Sequence, residues 1–193
     1  MTRPRIGLFG GTFDPPHLGH LAALRAALAT NRYDEIVVTV AGDPYLKTDA
    51  RDIRDSETRL ALARAAFAEV PLVTVSDLEV QRTGPSYTID TVRDLLMGAR
   101  TVDVLVGADI AVSLAQWHEA DQLRDLVKVG IFPRPGSPVV FPEGFVCYEI
   151  AMAPVDLSST EVRARLENEG SISGAVPPAI VPMLTGTAEY TTH

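Results

Sequence analysis

Short continuous apolar runs alternate along the chain with stretches of helical character. Ile6-Gly7-Leu8-Phe9 is the first run, closed by Gly10-Gly11, and Leu18–Ala29 follows with Leu/Ala-rich helix propensity. Residues 35–40 make a second strand through Ile36, Val37, Val38 and Val40. Residues 56–68 read as a helix that Ser56 can cap, with Leu60, Ala63 and Phe67 on one face; Arg59 falls at the capping-box position without being Glu. Residues 72–75 form a third strand, 87–97 a helix, and 102–106 a fourth strand ending at Gly107. A helix over 116–126, strands over 127–132 and 146–150, a capped helix over 159–167 and a short helix over 177–184 that opens on proline complete the pattern. Unbroken apolar strands alternating with helices predict an α/β protein: a doubly wound, mostly parallel sheet with helices on both faces. In such sheets ligands sit beyond the carboxyl ends of the strands, so the residues following strands one, two and four bear on function first.

Length and charge narrow the class. The chain has 193 residues, 46% hydrophobic and 22% charged, the make-up of a globular protein. A single domain over 1–193 is expected, burying roughly 70% of the unfolded chain's surface and needing no disulfide or metal staple. Seventeen Lys and Arg against 25 Asp and Glu leave a net charge of −8. That balance argues against a nucleic-acid partner, whose phosphates would demand a basic surface. It does not argue against a small anionic ligand, which feels local cations. One cysteine, Cys147, can build neither a disulfide framework nor a cysteine zinc site, and it reads as a buried small hydrophobe. No stretch approaches the roughly 18 apolar residues of a membrane span, and none near the first residues resembles a signal peptide. A reducing, cytoplasmic setting is expected, and the sequence leaves homo-oligomer formation open.

The chemistry concentrates after the first strand. Gly10-Gly11-Thr12-Phe13-Asp14-Pro15-Pro16-His17-Leu18-Gly19-His20 runs straight into a helix. The glycines permit close approach of a ligand and positive φ, and Pro15-Pro16 stiffens the loop. His17 and His20, three apart at a helix start, share a face where the helix dipole already attracts anions. The segment is neither G-x-G-x-x-G nor the P-loop, which would carry Lys-Ser or Lys-Thr after the glycines. Two imidazoles at a helix N-terminus suit polyphosphate, and a polyanion would favour their charged, two-donor form. Metal ligation by His-x-x-His is the rival use, but no third ligand lies close in sequence.

This segment resembles the HxGH signature of the nucleotidyltransferase superfamily, and most closely the bacterial nicotinate-mononucleotide adenylyltransferases. The resemblance implies a Rossmann-like fold and direct attack of a nucleotide 5′-phosphate on the α-phosphate of ATP, releasing pyrophosphate without a covalent intermediate. It makes His17 and His20 the catalytic pair and lines the phosphate site with Gly10, Gly11, Thr12 and Phe13. Further matches extend it over about residues 5–190. The stretch from Glu79 to Thr91, with Ser86-Tyr87-Thr88 inside it, is similar to the segment that binds the nicotinate carboxylate, through Thr88 with Tyr87 beside it. Gly107-Ala108-Asp109 matches a ribose and phosphate contact. Trp117, the one tryptophan, matches a ring that stacks on nicotinate, with the His118 backbone on the carboxylate. Ser158-Ser159-Thr160-Glu161-Val162-Arg163 resembles the superfamily's second signature, which assigns Ser158, Ser159 and Thr160 to ATP and Arg163 to catalysis. Arg134 matches an element near adenine, and Lys47 a phosphate-binding position.

The resemblance also has departures. After strand two the sequence reads Val40-Ala41-Gly42, where the family usually has proline, and the loop looks shortened. That loop touches the acceptor, so nicotinamide mononucleotide or another phosphate monoester stays open as an alternative acceptor. A non-catalytic nucleotide-binding module is the alternative from outside enzymes, against which both histidines and Arg163 speak. Joining two polyanions requires charge neutralisation, so Mg²⁺ bridging phosphate oxygens is expected, with few protein ligands and no dedicated metal site.

Overall fold

Valine- and isoleucine-rich runs need cover on both faces, and a parallel sheet between two layers of helices supplies it. The computed structural model describes residues 3–43, 53–98 and 100–186. Its strands are β1 (Arg5–Gly11), β2 (Glu35–Val40), β3 (Val73–Ser76), β4 (Thr101–Gly107), β5 (Lys128–Phe132) and β6 (Cys147–Glu149). They form one sheet in the order β3-β2-β1-β4-β5-β6, with every neighbouring pair parallel. The chain winds outward from β1 to β3, then returns to β4 on the other side of β1. The topological switch therefore lies between β1 and β4, where the alternation of elements predicts a ligand crevice.

The helices are α1 (Leu18–Ala29), α2 (Ser56–Phe67), α3 (Leu78–Gln81), α4 (Thr88–Leu96), α5 (Ala108–Ala111), α6 (Ala120–Leu126), α7 (Ser159–Glu167) and α8 (Val181–Thr185). Successive strand residues point to opposite faces, so each strand feeds two cores. Phe9, Val38 and Val40 pack with Leu24 of α1, Ala63 and Phe67 of α2, Val162 of α7 and Leu184 of α8. Leu8, Val37, Val104 and Ile131 pack with Ile89 and Val92 of α4, Ala111 of α5 and Leu123 of α6. Cys147 is half-buried at the edge of this second core, where burial pushes its thiol pKa up.

Several boundaries differ from the pattern. Asp55, not Ser56, caps α2: its Oδ1 accepts from the Thr58 N–H at 2.9 Å and its Oδ2 from the Thr58 hydroxyl at 2.6 Å. Those bonds hold the Asp55 carboxyl below its usual range. The helix expected over 116–126 is α-helical only as α6. A 3₁₀ turn at Leu114–Gln116 precedes it, Trp117 is extended, and Glu119 takes a left-handed φ of 51°. The Glu119 carboxylate is drawn instead to Arg93 of α4, at 2.6 Å. The four-residue helices α3 and α5 are too short to show a period, and the sequence pattern missed them. The last helix is split into a 3₁₀ turn at Pro178–Ile180 and α8.

A buried polar chain crosses the first core. The Tyr148 hydroxyl donates to Asp103 Oδ2 at 2.6 Å and is hydrogen-bonded in turn to the Tyr33 hydroxyl. Asp103 is 3% exposed, so the hydrogen bond from Tyr148 satisfies an oxygen that water does not reach. Replacing Tyr148→Phe leaves this carboxylate oxygen without the tyrosine. The expected outcome is a loss of about 1–3 kcal/mol of stability, read from the urea-unfolding midpoint at pH 7.

Candidate active site

The turn from β1 into α1 begins at the carboxyl end of an inner strand. Gly10 and Gly11 close β1 in extended geometry, and the positive φ expected of them falls on Phe13 instead, at 52°. Phe13 tolerates that backbone because its ring is locked in the core against Phe9, Phe67 and His20. His17 is the N-cap of α1. Its Nδ1 accepts from the Gly19 N–H at 3.1 Å, while Nδ1 of His20 accepts from the His17 N–H at 3.1 Å. The two histidines thus form a capping box with imidazoles in place of Ser and Glu. Their ring centroids lie 3.7 Å apart. A Cβ at Gly19 would come within 2.9 Å of the His17 ring, which explains the glycine between them.

This cap sets the protonation state. An Nδ1 that accepts a backbone N–H carries no proton, so each neutral ring donates through Nε2 alone. His17 is 1% exposed. Burial, with Arg134 nearby, lowers its pKa from 6.5 to about 4. The cap thus presents His17 as a neutral, single-donor ring of fixed tautomer.

Around this turn lies a cavity of about 410 Å³. It is lined by Gly10, Gly11, Thr12, Phe13, His17 and His20 from the turn, by Gly107 and Asp109 after β4, by Arg134 after β5, and by Ser158, Ser159 and Thr160 at the start of α7. Ser158 caps α7, its hydroxyl accepting from the Glu161 N–H at 3.1 Å. Ser159 donates to the Pro15 carbonyl at 3.0 Å, which ties α7 to the histidine turn. Arg134 lies 3.6 Å from Asp109 Oδ1, half-buried at the rim.

Arg163 reaches back from α7 to the histidine turn. Its Nη1 donates to the Asp14 carbonyl at 2.7 Å and its Nη2 to the Thr160 hydroxyl at 3.2 Å, and it is not among the lining residues. Behind the same turn, the buried Asp14 carboxylate meets Arg54 at 3.0 Å. The arginines around Asp14 brace the turn from outside the cavity.

The other half of the cavity is lined by Thr39, Ala41, Glu79, Ser86, Thr88 and Trp117. Trp117 donates from its indole to the Ser113 hydroxyl at 3.3 Å, which fixes the ring edge. Tyr87 and His118 stack on each other with centroids 4.0 Å apart, outside the cavity lining. Lys47 lies outside the described residues. The sequence reasoning gave no role to Glu79, a cavity carboxyl 6% exposed that accepts from the Thr91 hydroxyl at 2.9 Å. Burial raises its pKa. Ser86, read in the sequence only as part of the Ser86-Tyr87-Thr88 segment, accepts through its hydroxyl the N–H groups of Gly42 at 2.9 Å and Asp43 at 3.2 Å. A Cβ at Gly42 would come within 2.3 Å of the Glu79 carbonyl, so only glycine fits between these segments.

The site therefore offers oriented neutral donors, two helix N-termini and one rim guanidinium to an anion, with a half-apolar annex beside them. Among the described residues there is no cluster of three or more metal-ligating side chains. No helix among them is long and apolar enough to cross a membrane.

Comparison with known proteins agrees with the geometry. A cytidylyltransferase-like family model matches residues 8–165. A Gemmatimonas aurantiaca protein named probable nicotinate-nucleotide adenylyltransferase is 35% identical, covering 96% of this chain and 92% of its own. A Thermus thermophilus protein of the same name is 36% identical over 91% of this chain and 94% of its own. The solved structure of Plasmodium falciparum nicotinic acid mononucleotide adenylyltransferase complexed with NaAD superposes with a TM-score of 0.76 at 20% identity, covering 95% of this chain and 94% of that one; it shares the fold. The switch-point crevice, the histidine-capped turn and these full-length relatives place the chain in the nicotinate-nucleotide adenylyltransferases of the cytidylyltransferase-like family.

Proposed function

We propose that this protein joins ATP to nicotinate mononucleotide, giving deamido-NAD and pyrophosphate. The observation that carries the reading is the imidazole capping box. It presents two Nε2–H donors, of fixed tautomer, beside the N-terminus of α1 and opposite the N-terminus of α7. The reaction needs alignment and charge stabilisation, because the acceptor phosphate is already an anionic nucleophile. No general base is assigned.

In this reading the triphosphate lies across the turn. Backbone N–H groups of residues 10–13, both histidines and the capped start of α7 hold its oxygens. As the acceptor oxygen bonds to the α-phosphorus, the bond to the bridging oxygen breaks and pyrophosphate leaves with that electron pair. His17 and His20 donate to oxygens whose charge grows in this step. Gly107 and Asp109 suit the ribose, with Arg134 holding Asp109 in place. Trp117 and Thr88 line the annex that would take the nicotinate ring and its carboxylate. Arg163 positions Asp14 and the turn, acting on the reaction through them. Mg²⁺, which keeps most of its water and prefers phosphate oxygens, would arrive on ATP as part of the substrate and offset its charge.

Mixed with ATP and Mg²⁺, the protein is expected to release pyrophosphate with nicotinate mononucleotide and much less with nicotinamide mononucleotide or phosphopantetheine. A coupled phosphate assay reads this directly. Comparable release with the amide would move the acceptor assignment.

Capping and chemistry separate by substitution. Asparagine caps helices well, so His17→Asn should fold with a near-native melting temperature at pH 8 yet lose turnover by about 10²–10³-fold. His20→Ala should lose a similar factor. Full turnover in His17→Asn would reduce the histidine to a cap.

A third test uses pH. The native state excludes a proton from His17 that the unfolded chain takes up near 6.5, so its contribution to stability is complete above pH 6.5 and is lost as pH falls toward about 4. Denaturant midpoints of the wild type should therefore fall more steeply between pH 6.5 and 4 than those of His17→Asn. Parallel profiles would contradict the neutral, buried imidazole.

A further inference from the structure

Arg59 sits in the first turn of α2 with 2% exposure, yet none of its hydrogen bonds goes to a carboxylate. Its Nε donates to the Arg54 carbonyl at 2.9 Å. Its Nη1 donates to the carbonyls of Thr12 at 3.0 Å and Ala41 at 2.7 Å, and its Nη2 to that of Gly42 at 3.2 Å. Burial lowers its pKa, and the nearby charges of Asp14 and Asp55 oppose that shift. Burying a guanidinium for backbone carbonyls alone is costly unless their placement matters. Three of the four belong to the two loops that flank the cavity. Thr12 lies in the turn that would carry the triphosphate. Ala41 and Gly42 follow β2, and Gly42 is bonded through Ser86 to the segment leading into Thr88, on the side that would carry the acceptor. The Ala41 N–H also donates to the Gly11 carbonyl at 2.9 Å, so the two loops touch at the point Arg59 clamps.

We propose that Arg59 is a positioning residue for nucleotidyl transfer: its planar fork of donors sets the separation between the triphosphate turn and the acceptor loop. The inference rests on the assignment of those two sides given above. Lysine keeps the charge and not the fork, so it cannot hold carbonyls of both loops in one plane. A shift of the loops leaves each nucleotide's own contacts in place and spoils their alignment.

The test compares Arg59→Lys and Arg59→Met with the wild type. In folded variants, affinity for a non-hydrolysable ATP analogue, read by calorimetry, should stay within about threefold, while kcat falls by about ten- to a hundredfold and the acceptor KM rises. Hydrogen exchange should quicken at the amides of residues 11–13 and 41–43 and remain unchanged in α1. A merely structural arginine would lower activity only in proportion to the folded fraction. That result, or full kcat in folded Arg59→Lys, would overturn the proposal. Should neither variant fold, Ser86→Ala at the far end of the same brace carries the test. A raised acceptor KM with unchanged ATP affinity supports the brace, and unchanged kinetics overturn it. A wild-type enzyme that ignores nicotinate mononucleotide would sink the acceptor assignment instead, and exchange at the same amides would still read the brace.

Discussion

The functional site depends on a competition for two imidazole nitrogens. A helix that begins at a ligand site has backbone N–H groups needing acceptors. Here Nδ1 of His17 and Nδ1 of His20 answer two of them. Protonating either Nδ1 would remove an acceptor from the helix start, so the cap and the neutral tautomer enforce each other. The rings are thereby oriented before any ligand arrives, which is what electrostatic stabilisation of a transferring phosphoryl group demands. Edge contacts from Phe9 and Phe13 hold the His20 ring from behind. The left-handed Phe13 and the buried Asp14 follow from the same need, to carry the chain from the end of β1 to a capped helix within a few residues.

That arrangement changes how an acidic chain can hold polyanions. The resemblance implies that Arg134, Arg163 and Lys47 serve the nucleotides. The arginines nearest the turn instead serve the backbone: Arg163 holds the Asp14 carbonyl, Arg54 the Asp14 carboxylate and Arg59 the carbonyls of two loops. None of these three lines the cavity; among the described arginines Arg134 does. Fixed N–H dipoles and oriented rings add to that guanidinium without the reorganisation that flexible cations would need.

The sheet and its main helices were legible in the sequence because their signals are local. β1 to β5 are runs of apolar residues, and α1 and α7 match the expected spans Leu18–Ala29 and Ser159–Glu167, each with its cap in the adjoining residues. The histidine pair and the serine start of α7 were visible for the same reason. What was hidden depends on contacts distant in sequence. Arg59 looks like an ordinary helix-surface arginine until residues 12, 41 and 42 close over it. Glu79 looks like a solvated charge until Thr91 and the cavity wall bury it. The stretch around Trp117 carries an apolar period that mimics a helix, and the Arg93–Glu119 ion pair with a left-handed residue breaks it. Part of what Arg163 does was hidden for a related reason. Its place on the first turn of α7 follows from sequence, whereas the carbonyl it reaches lies 149 positions away.

The departure after β2 has a physical counterpart. Where the family usually has proline after the strand this chain reads Val40-Ala41-Gly42, and the Ala41 N–H donates to the Gly11 carbonyl, lengthening the contact between β1 and β2 by one bond. Proline has no N–H to give and would lose it. Gly42 then turns into contact with the Glu79 backbone, closer than any Cβ allows, and its own N–H reaches Ser86. Arg59 and Ser86 hold this loop through its backbone. A loop held in that way is sensitive to what packs against it, so the identity of the acceptor should depend on the residues bracing the loop as much as on those that touch the ligand.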